Sequence, residues 1–562
     1  METISGDEVY LIEYLFKRLH QLGVQSVFGV PGDYNLMALD CVQPCGLRWV
    51  GNANEQNAGY AADGYARIKG ISALMTVMGV GELSAINAIA GAYIEKAPIV
   101  HIVGMPSTTS QRLRHNLHHS LGNGYFDTFS DLYRKVTCGQ LMLVSAGEAT
   151  CLYWLPTDLI KQKIPASRLK TPITGHLSFE KQQLKNGWAF ELPDMIGPIM
   201  GTSKRPVIIV DGFARQYGWR FVSVVNDFIR AWAIPTFTTP FGKGIVDELH
   251  SNFHGIFTGD VWWSEDEQKW VEPDLCILIA PLKTDTNTCC FTALSEVTKT
   301  IEIGQYDLSV YGKSYGFAGG SVLALLARSD GCPNWPKRLK FDPRYSVRDR
   351  KKELEQLPEP CADAAIDQDS FWFRISKFLQ PGDVILTETG TASSGGQDFV
   401  LPRHTWMINS AAWLSIGYAL GACVGATLVR MEWEKWRSEH PGEFVKGRTI
   451  LFEGDGSFQM TAQAVSDIIR NRLDRVINGM DADYNDVQPW NYLESASYFG
   501  APKDDPSYPV FAKRAKLFEI IEDPQLKAGK GFSMVEVMMR KDDAVASLKE
   551  LVQLAKQQNR AG

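Results

Sequence analysis

The chain has little that would direct it to nucleic acid, to a membrane or to an oxidising compartment. Its 57 Lys and Arg are outnumbered by 64 Asp and Glu, for a net charge of −7, so its electrostatics recruit neither nucleic acid nor an anionic bilayer. Its 10 cysteines are scattered without a C-x-x-C pair, which argues against a disulfide framework and against the usual zinc spacings. A reduced, cytoplasmic chain is expected, with Cys41, Cys45, Cys289 and Cys290 as buried thiols. Met1–Tyr14 carries Glu2, Asp7, Glu8 and Glu13 where a secretory signal would carry basic and then apolar residues, so none is expected. The tail Gln557–Gly562 has no peroxisomal or retention signal. One uncharged stretch, Met407–Val429, is long enough to span a bilayer. Gly417, Gly421 and Gly425 recur in it every fourth residue, a spacing that lets another backbone approach. With no second such stretch and no flanking basic cluster, a buried helix of a soluble core is expected.

What is present is the composition of an ordinary globular protein, 45% hydrophobic and 22% charged over 562 residues, enough for two to four domains. In the first third, short apolar runs alternate with helical patterns. Val24–Val30, Trp49–Val50, Ser72–Met78 and Ile99–Val103 read as strands, and Asn52–Arg67 as a helix rich in small residues. A second alternation includes the apolar runs in Arg205–Gly212, Pro273–Ala280 and Lys299–Ile303. The charged, proline-containing stretch Asp330–Cys361 reads as a linker. A third alternation begins near Asp367, with a helix through Leu379 and a strand at Val384–Thr387. The expected fold class is α/β, with three domains at 1–190, 195–345 and 365–562, each a mainly parallel sheet with helices on both faces.

Ligands of such sheets gather at the carboxyl ends of the strands. Leu451–Gln463 joins an apolar strand, a Gly454-Asp-Gly-Ser457 turn and an amphipathic helix without a gap. Helix-opening amides attract anions, and Asp455 is a candidate Mg2+ ligand beside a diphosphate. Alone, such a turn is ordinary turn chemistry. At other strand ends stand Asp33, Glu55 and the loop Leu117–Gly124 with His118 and His119. Singly these read as a turn residue, a solvated helix face and histidines of which at least one is at the surface. Together, two carboxylates and two imidazoles suit proton transfer near neutral pH.

With these motifs in order, the chain resembles the thiamine diphosphate-dependent 2-keto acid decarboxylases, most closely the fungal pyruvate decarboxylases. The resemblance rests on Phe28-Gly-Val-Pro-Gly-Asp33, Asn54–Arg67, Gly79-Val-Gly-Glu-Leu-Ser84, His118–Gly124, Glu388-Thr-Gly-Thr391 and Gly454–Ser457. It implies pyrimidine-binding, central and diphosphate-binding domains, assembled as a homodimer or homotetramer with the active site between subunits. It implies thiamine diphosphate and Mg2+ as cofactors and a small 2-keto acid as substrate, with pyruvate converted to acetaldehyde and CO2. By the resemblance Glu55 hydrogen-bonds the aminopyrimidine ring, while Asp33, His118 and His119 handle the substrate and its protons. Thr389 and Thr391 line the diphosphate loop, Leu414 and Ile416 line the cofactor with Ile416 as its wedge, and Gly454, Asp455, Gly456 and Ser457 hold the diphosphate and the metal. An indolepyruvate or phenylpyruvate decarboxylase is the alternative within the class.

The sequence departs from that pattern in two places. After Phe458–Leu473, read as one helix, the segment Asp474–Tyr484 has only two consecutive β-branched apolar residues, so a core strand is expected to be missing. The family's Asn-x-Gly metal turn and a catalytic glutamate would go with it. Asn478-Gly479 and Asp481 have the wrong spacing to replace them. Near Thr150–Cys151 a helix leading into the first domain's last strand is lost, so that unit is expected to be compromised. Smaller departures are Leu414 in place of glycine and an acid at Glu453. Two readings follow: an active decarboxylase whose coding sequence lacks segments near 150–151 and 477–478, or a non-catalytic paralogue acting as an interaction partner.

Overall fold

Apolar runs closed by glycine turns become the buried strands of three sheets. The computed structural model describes residues 7–141, 154–171, 188–232, 234–257, 273–293, 299–316, 319–327, 349–358, 366–439, 445–480, 490–540 and 543–561. In the N-terminal third the strands are β1 (Glu8–Tyr10), β2 (Ser26–Gly29), β3 (Arg48–Gly51), β4 (Ser72–Val77), β5 (Ile99–Met105), β6 (Trp154–Pro156) and β7 (Lys163–Pro165). β1 and β7 pair antiparallel, and the other five form a parallel sheet in the order β3-β2-β4-β5-β6. Every residue of β4 is buried, as a strand covered on both faces requires. The first domain's last strand is in place. β6 joins β5 in parallel, because the connection from Pro106 to Tyr153 is ample for a crossover. The Thr150–Cys151 junction lies outside the described residues.

The central sheet contains β8 (Pro206–Val210), β9 (Thr236–Thr238), β10 (Phe253–Ile256), β11 (Leu275–Ile279), β12 (Thr300–Ile303), β13 (Leu308–Val310) and β14 (Lys313–Tyr315), in the order β10-β9-β8-β11-β12-β13-β14. Its last two pairings are antiparallel and the others parallel. Within the stretch expected as a linker, Arg350–Gln356 is instead a helix, capped by the Asp349 carboxylate accepting from the Lys352 N–H. The charge run signalled exposure, and the cap with its helix-forming Lys and Glu decided the conformation.

The C-terminal sheet contains β15 (Val384–Thr387), β16 (Trp406–Ile408), β17 (Thr449–Gly454), β18 (Arg475–Met480), β19 (Val510–Arg514) and β20 (Phe532–Val537), parallel throughout in the order β16-β15-β17-β18-β20-β19. The strand expected to be missing is therefore present. β18 fills the slot between β17 and β20, with Ile477 opposite Leu451 and Met534, and Asn478 opposite Phe452 and Val535. An empty slot would strand the N–H and C=O groups of both neighbours. Ladder bonding does not depend on side-chain type, so closure prevails over weak strand propensity. The expected Phe458–Leu473 helix is two shorter ones, Asp455–Thr461 and Ala464–Arg470.

One continuous core joins the two outer sheets, with Phe28, Tyr65 and Leu74 in the same cluster as Leu386, Leu420 and Leu451. The central sheet has a core of its own. The outer domains meet where the Glu55–Lys69 helix crosses the Tyr418–Glu439 helix. A Cβ on Gly64 would stand 2.1 Å from the Ala422 carbonyl oxygen, and one on Gly425 1.9 Å from that of Ala61. The glycine spacing thus serves a helix crossing inside the protein. Among the described residues no helix is long and apolar enough to cross a membrane.

Candidate active site

At the N-terminal sheet, β2 ends in the Pro31-Gly32 turn and presents Asp33, whose carboxylate lies 3.2 Å from His118 Nε2. Both side chains are exposed, so the pair is open to solvent and its attraction is modest. The His118 ring stacks on Tyr34 at 4.9 Å and meets His119 edge-on at 4.7 Å. As expected for adjacent histidines, one of them, His118, is at the surface; the two rings nevertheless meet, with His119 at a φ of +64° that turns the chain. Gly79 lies directly behind them: a Cβ there would sit 2.1 Å from the His119 carbonyl oxygen. Glu55, half-buried, is the first residue of its helix, which Asn54 caps by accepting from the Asn57 N–H. Its Oε1 faces Gly81, where a Cβ would come within 3.2 Å.

Beneath this cluster lies a glutamate that sequence reasoning passed over. Glu82 is fully buried and accepts from the Gly79 N–H at 2.9 Å and from Trp154 Nε1–H at 3.1 Å. Burial pushes its carboxyl up to about 7, against the pull of those two donors. The signal was the G-x-x-E spacing of a helix cap.

At the C-terminal sheet the same construction recurs. Glu388, at the end of β15, is buried and accepts from the Thr389 N–H and the Ala419 N–H, each at 2.8 Å. Burial pushes it up to about 7, opposed by these donors, by the Gly417 N–H and by a hydrogen bond with Glu453. Glu388 thereby ties the Thr389–Thr391 loop to the start of the Tyr418–Glu439 helix. Above it the Thr389 hydroxyl oxygen is buried without a partner, and Gly390, at φ +105°, has open space where a Cβ would stand. Next to β15, β17 delivers Gly454, half-buried Asp455, and buried Gly456 and Ser457 into the N-terminus of the Asp455–Thr461 helix.

The loop before the Tyr418–Glu439 helix completes the region. Ser415 Oγ lies 2.7 Å from Tyr60 OH, and Trp413 Nε1–H donates to Asn87 Oδ1 at 2.8 Å, which fixes the loop on the N-terminal domain. Leu414 has a φ of +53°, a conformation suited to glycine. Ile416 is 41% exposed, and Trp413 and Met460 are exposed as well.

Family models match along the whole order of domains. The thiamine pyrophosphate enzyme N-terminal TPP binding domain matches residues 10–127, the central domain 198–315, and the C-terminal TPP binding domain 388–522. The chain belongs to the thiamine pyrophosphate enzyme family. It is 38% identical to a pyruvate decarboxylase of Aspergillus fumigatus over 98% of both chains. Against a pyruvate decarboxylase of Aspergillus parasiticus the identity is 39% over 96% of both, and against one of Candida glabrata it is 34% over 97% of this chain and 98% of the relative. The first of these alignments runs over 585 residues, longer than this 562-residue chain, so it includes positions at which this chain has no residue.

The residues present fit the family's cofactor. An unpartnered hydroxyl at Thr389, open space at Gly390 and the helix start at Gly454–Ser457 make a cradle of donors for a diphosphate. Mg2+ is commonly held by one or two carboxylates together with phosphate oxygens, and Asp455 supplies one such carboxylate. Among the described residues no three His, Cys, Asp or Glu side chains form a metal cluster. Asn478 is within the ladder of β18, opposite Phe452, and Asp481 is outside the described residues.

Proposed function

We propose that the chain decarboxylates a small 2-keto acid, with pyruvate giving acetaldehyde and CO2, using thiamine diphosphate and Mg2+. The observation that carries this reading is the donor cradle at Thr389 and Gly454–Ser457, in a chain matched over nearly its full length by proteins named pyruvate decarboxylase. When bound, the cofactor supplies the electron sink for loss of CO2. Thr389, Thr391, Gly454, Gly456 and Ser457 bind the diphosphate, and Asp455 holds the metal against it. Leu414 and Ile416 pack against the cofactor rings, with Ile416 as the wedge between them. Glu55 orients the pyrimidine by hydrogen-bonding its ring through the carboxyl group. Asp33 keeps His118 Nε2 in place at 3.2 Å, and His118 and His119 orient the substrate carboxylate and deliver a proton to the product.

The domain assignment that goes with this reading is pyrimidine-binding at 1–190, central at 195–345 and diphosphate-binding at 365–562. Exposed Val80, Leu83, Trp413, Ile416 and Met460 support a second copy covering this face. We therefore favour a cytoplasmic homodimer or homotetramer with the site between subunits. A second reading, a non-catalytic paralogue, is favoured by β18, which draws Asn478 and Gly479 into the ladder where the family places a metal-binding turn.

Purified protein is to be assayed with thiamine diphosphate and Mg2+ on pyruvate and on phenylpyruvate. Acetaldehyde as the major product supports the reading, and preference for phenylpyruvate reassigns the substrate. Cofactor binding without turnover of either acid selects the paralogue. Failure to bind the cofactor removes the enzyme reading for this chain.

A further inference from the structure

A cavity of about 400 Å3 opens between the central and C-terminal domains. It is bounded by Gly382, Val384 and Trp406, at the amino ends of β15 and β16, so it lies at the opposite end of that sheet from the cradle. Its volume is that of a small-molecule site, and such sites favour domain boundaries. Five cations line it, Arg215, Arg230, Arg403, Arg430 and Lys446, against the three acids Asp247, Glu248 and Glu434. The acids are already engaged. Asp247 faces Arg403 at 3.5 Å, Glu434 binds Arg430 at 2.6 Å, and Glu248 binds the buried Lys243 at 2.7 Å; Arg230 in turn pairs with Asp227 at 2.9 Å, so Arg215 and Lys446 are the lining cations with no carboxylate partner among the described residues.

Arg215 is the telling residue. It is 1% exposed, and its hydrogen bonds go to the carbonyl oxygens of Phe241 and Lys243. Among the described residues no carboxylate pairs with it. Asp211, the acid that acts on it most, is occupied by the Gly212 and Leu282 N–H groups, the Thr239 hydroxyl and the Asn287 amide. Burial, with Arg67 nearby, pushes Arg215 down to about 9. Buried charges are ordinarily paired, and a guanidinium matches a phosphate or carboxylate in shape. The lining also includes Trp406 and Trp433, with ring centroids 6.0 Å apart.

We infer that this cavity binds a small organic anion, its phosphate or carboxylate taken by the arginines and its planar part by the tryptophans. The test is isothermal titration of the full chain with AMP, with phenylpyruvate and with inorganic phosphate. It is repeated on the Arg230→Ala/Arg403→Ala double variant, whose changes fall on exposed side chains, and on Arg215→Gln. AMP or phenylpyruvate is expected to bind more tightly than inorganic phosphate, with at least a tenfold loss in the double variant. AMP as the tighter ligand identifies a phosphate and phenylpyruvate a carboxylate. No binding of either, or binding unchanged in the double variant, overturns the inference. Arg215→Gln, if it folds, is expected to show the larger loss.

Discussion

The two outer domains end their sheets alike and then diverge. Each sets a buried glutamate under a glycine turn, Glu82 beneath Gly79 and Glu388 beneath the Thr389-Gly390 turn, and burial pushes each up to about 7. In front of Glu82 stand ionisable side chains: Asp33 and His118 in an exposed pair, with His119 and half-buried Glu55. In front of Glu388 stand hydroxyls, backbone N–H groups and one half-buried carboxylate, Asp455. The shared frame gives rigidity, and the exposed set decides the chemistry. The N-terminal end suits moving protons, whereas the C-terminal end suits holding an anion with its cation.

The sharpest way to break this contrast is to remove one function from each end. Glu55→Gln is expected to lower acetaldehyde formation by roughly a hundredfold or more, the scale of a lost acid-base group, with cofactor affinity less affected in titration. Asp455→Asn is expected to do the reverse, abolishing Mg2+-dependent cofactor binding. If both variants lose binding equally, the division of labour fails.

The next test concerns what holds the two ends together. Gly425→Val forces a side chain onto the Ala61 carbonyl. A loss of about 3 kcal/mol or more is expected in urea unfolding, at the upper end of overpacking effects. An unchanged midpoint would mean that the helices do not cross so closely.

The shared buried acid makes a smaller, pH-dependent prediction. The Glu82 carboxyl has a folded value raised to about 7, so the folded chain keeps a proton that the unfolded chain releases near its ordinary value of about 4.3. Its contribution to stability is therefore complete below that ordinary value and is lost as pH rises toward 7, roughly 3 kcal/mol across the window. Urea titrations between pH 4.5 and 7 should show stability falling with pH, and Glu82→Gln should flatten the slope. An equal slope in the variant would remove Glu82 as its source. The smallest expected effect is at Leu414. Leu414→Gly relieves the left-handed conformation at φ +53° but loosens the unfolded chain, for a net gain of at most about 1 kcal/mol.

Much of this was legible in the sequence. The apolar run Ser72–Met78 and the turn after it read correctly because a parallel strand buried on both faces leaves a plain signal. The four-residue glycine spacing also announced a close helix contact. β18 was not legible: apolarity was the criterion, whereas the slot between β17 and β20 is filled by backbone bonding, which Asn478 and Gly479 satisfy as well as valine does. Glu82 and Glu388 were inside recognised motifs, but their burial is a tertiary property, and so is the convergence of His118 and His119 on Tyr34.

The central claim is that the C-terminal sheet, closed by β18, still carries a working cofactor cradle. Titration of the purified full chain with thiamine diphosphate in Mg2+ tests it most directly. The account predicts saturable binding that is lost when Mg2+ is chelated and weakened by Thr389→Val. Absence of binding by a folded chain, or binding indifferent to both Mg2+ and Thr389, would contradict it.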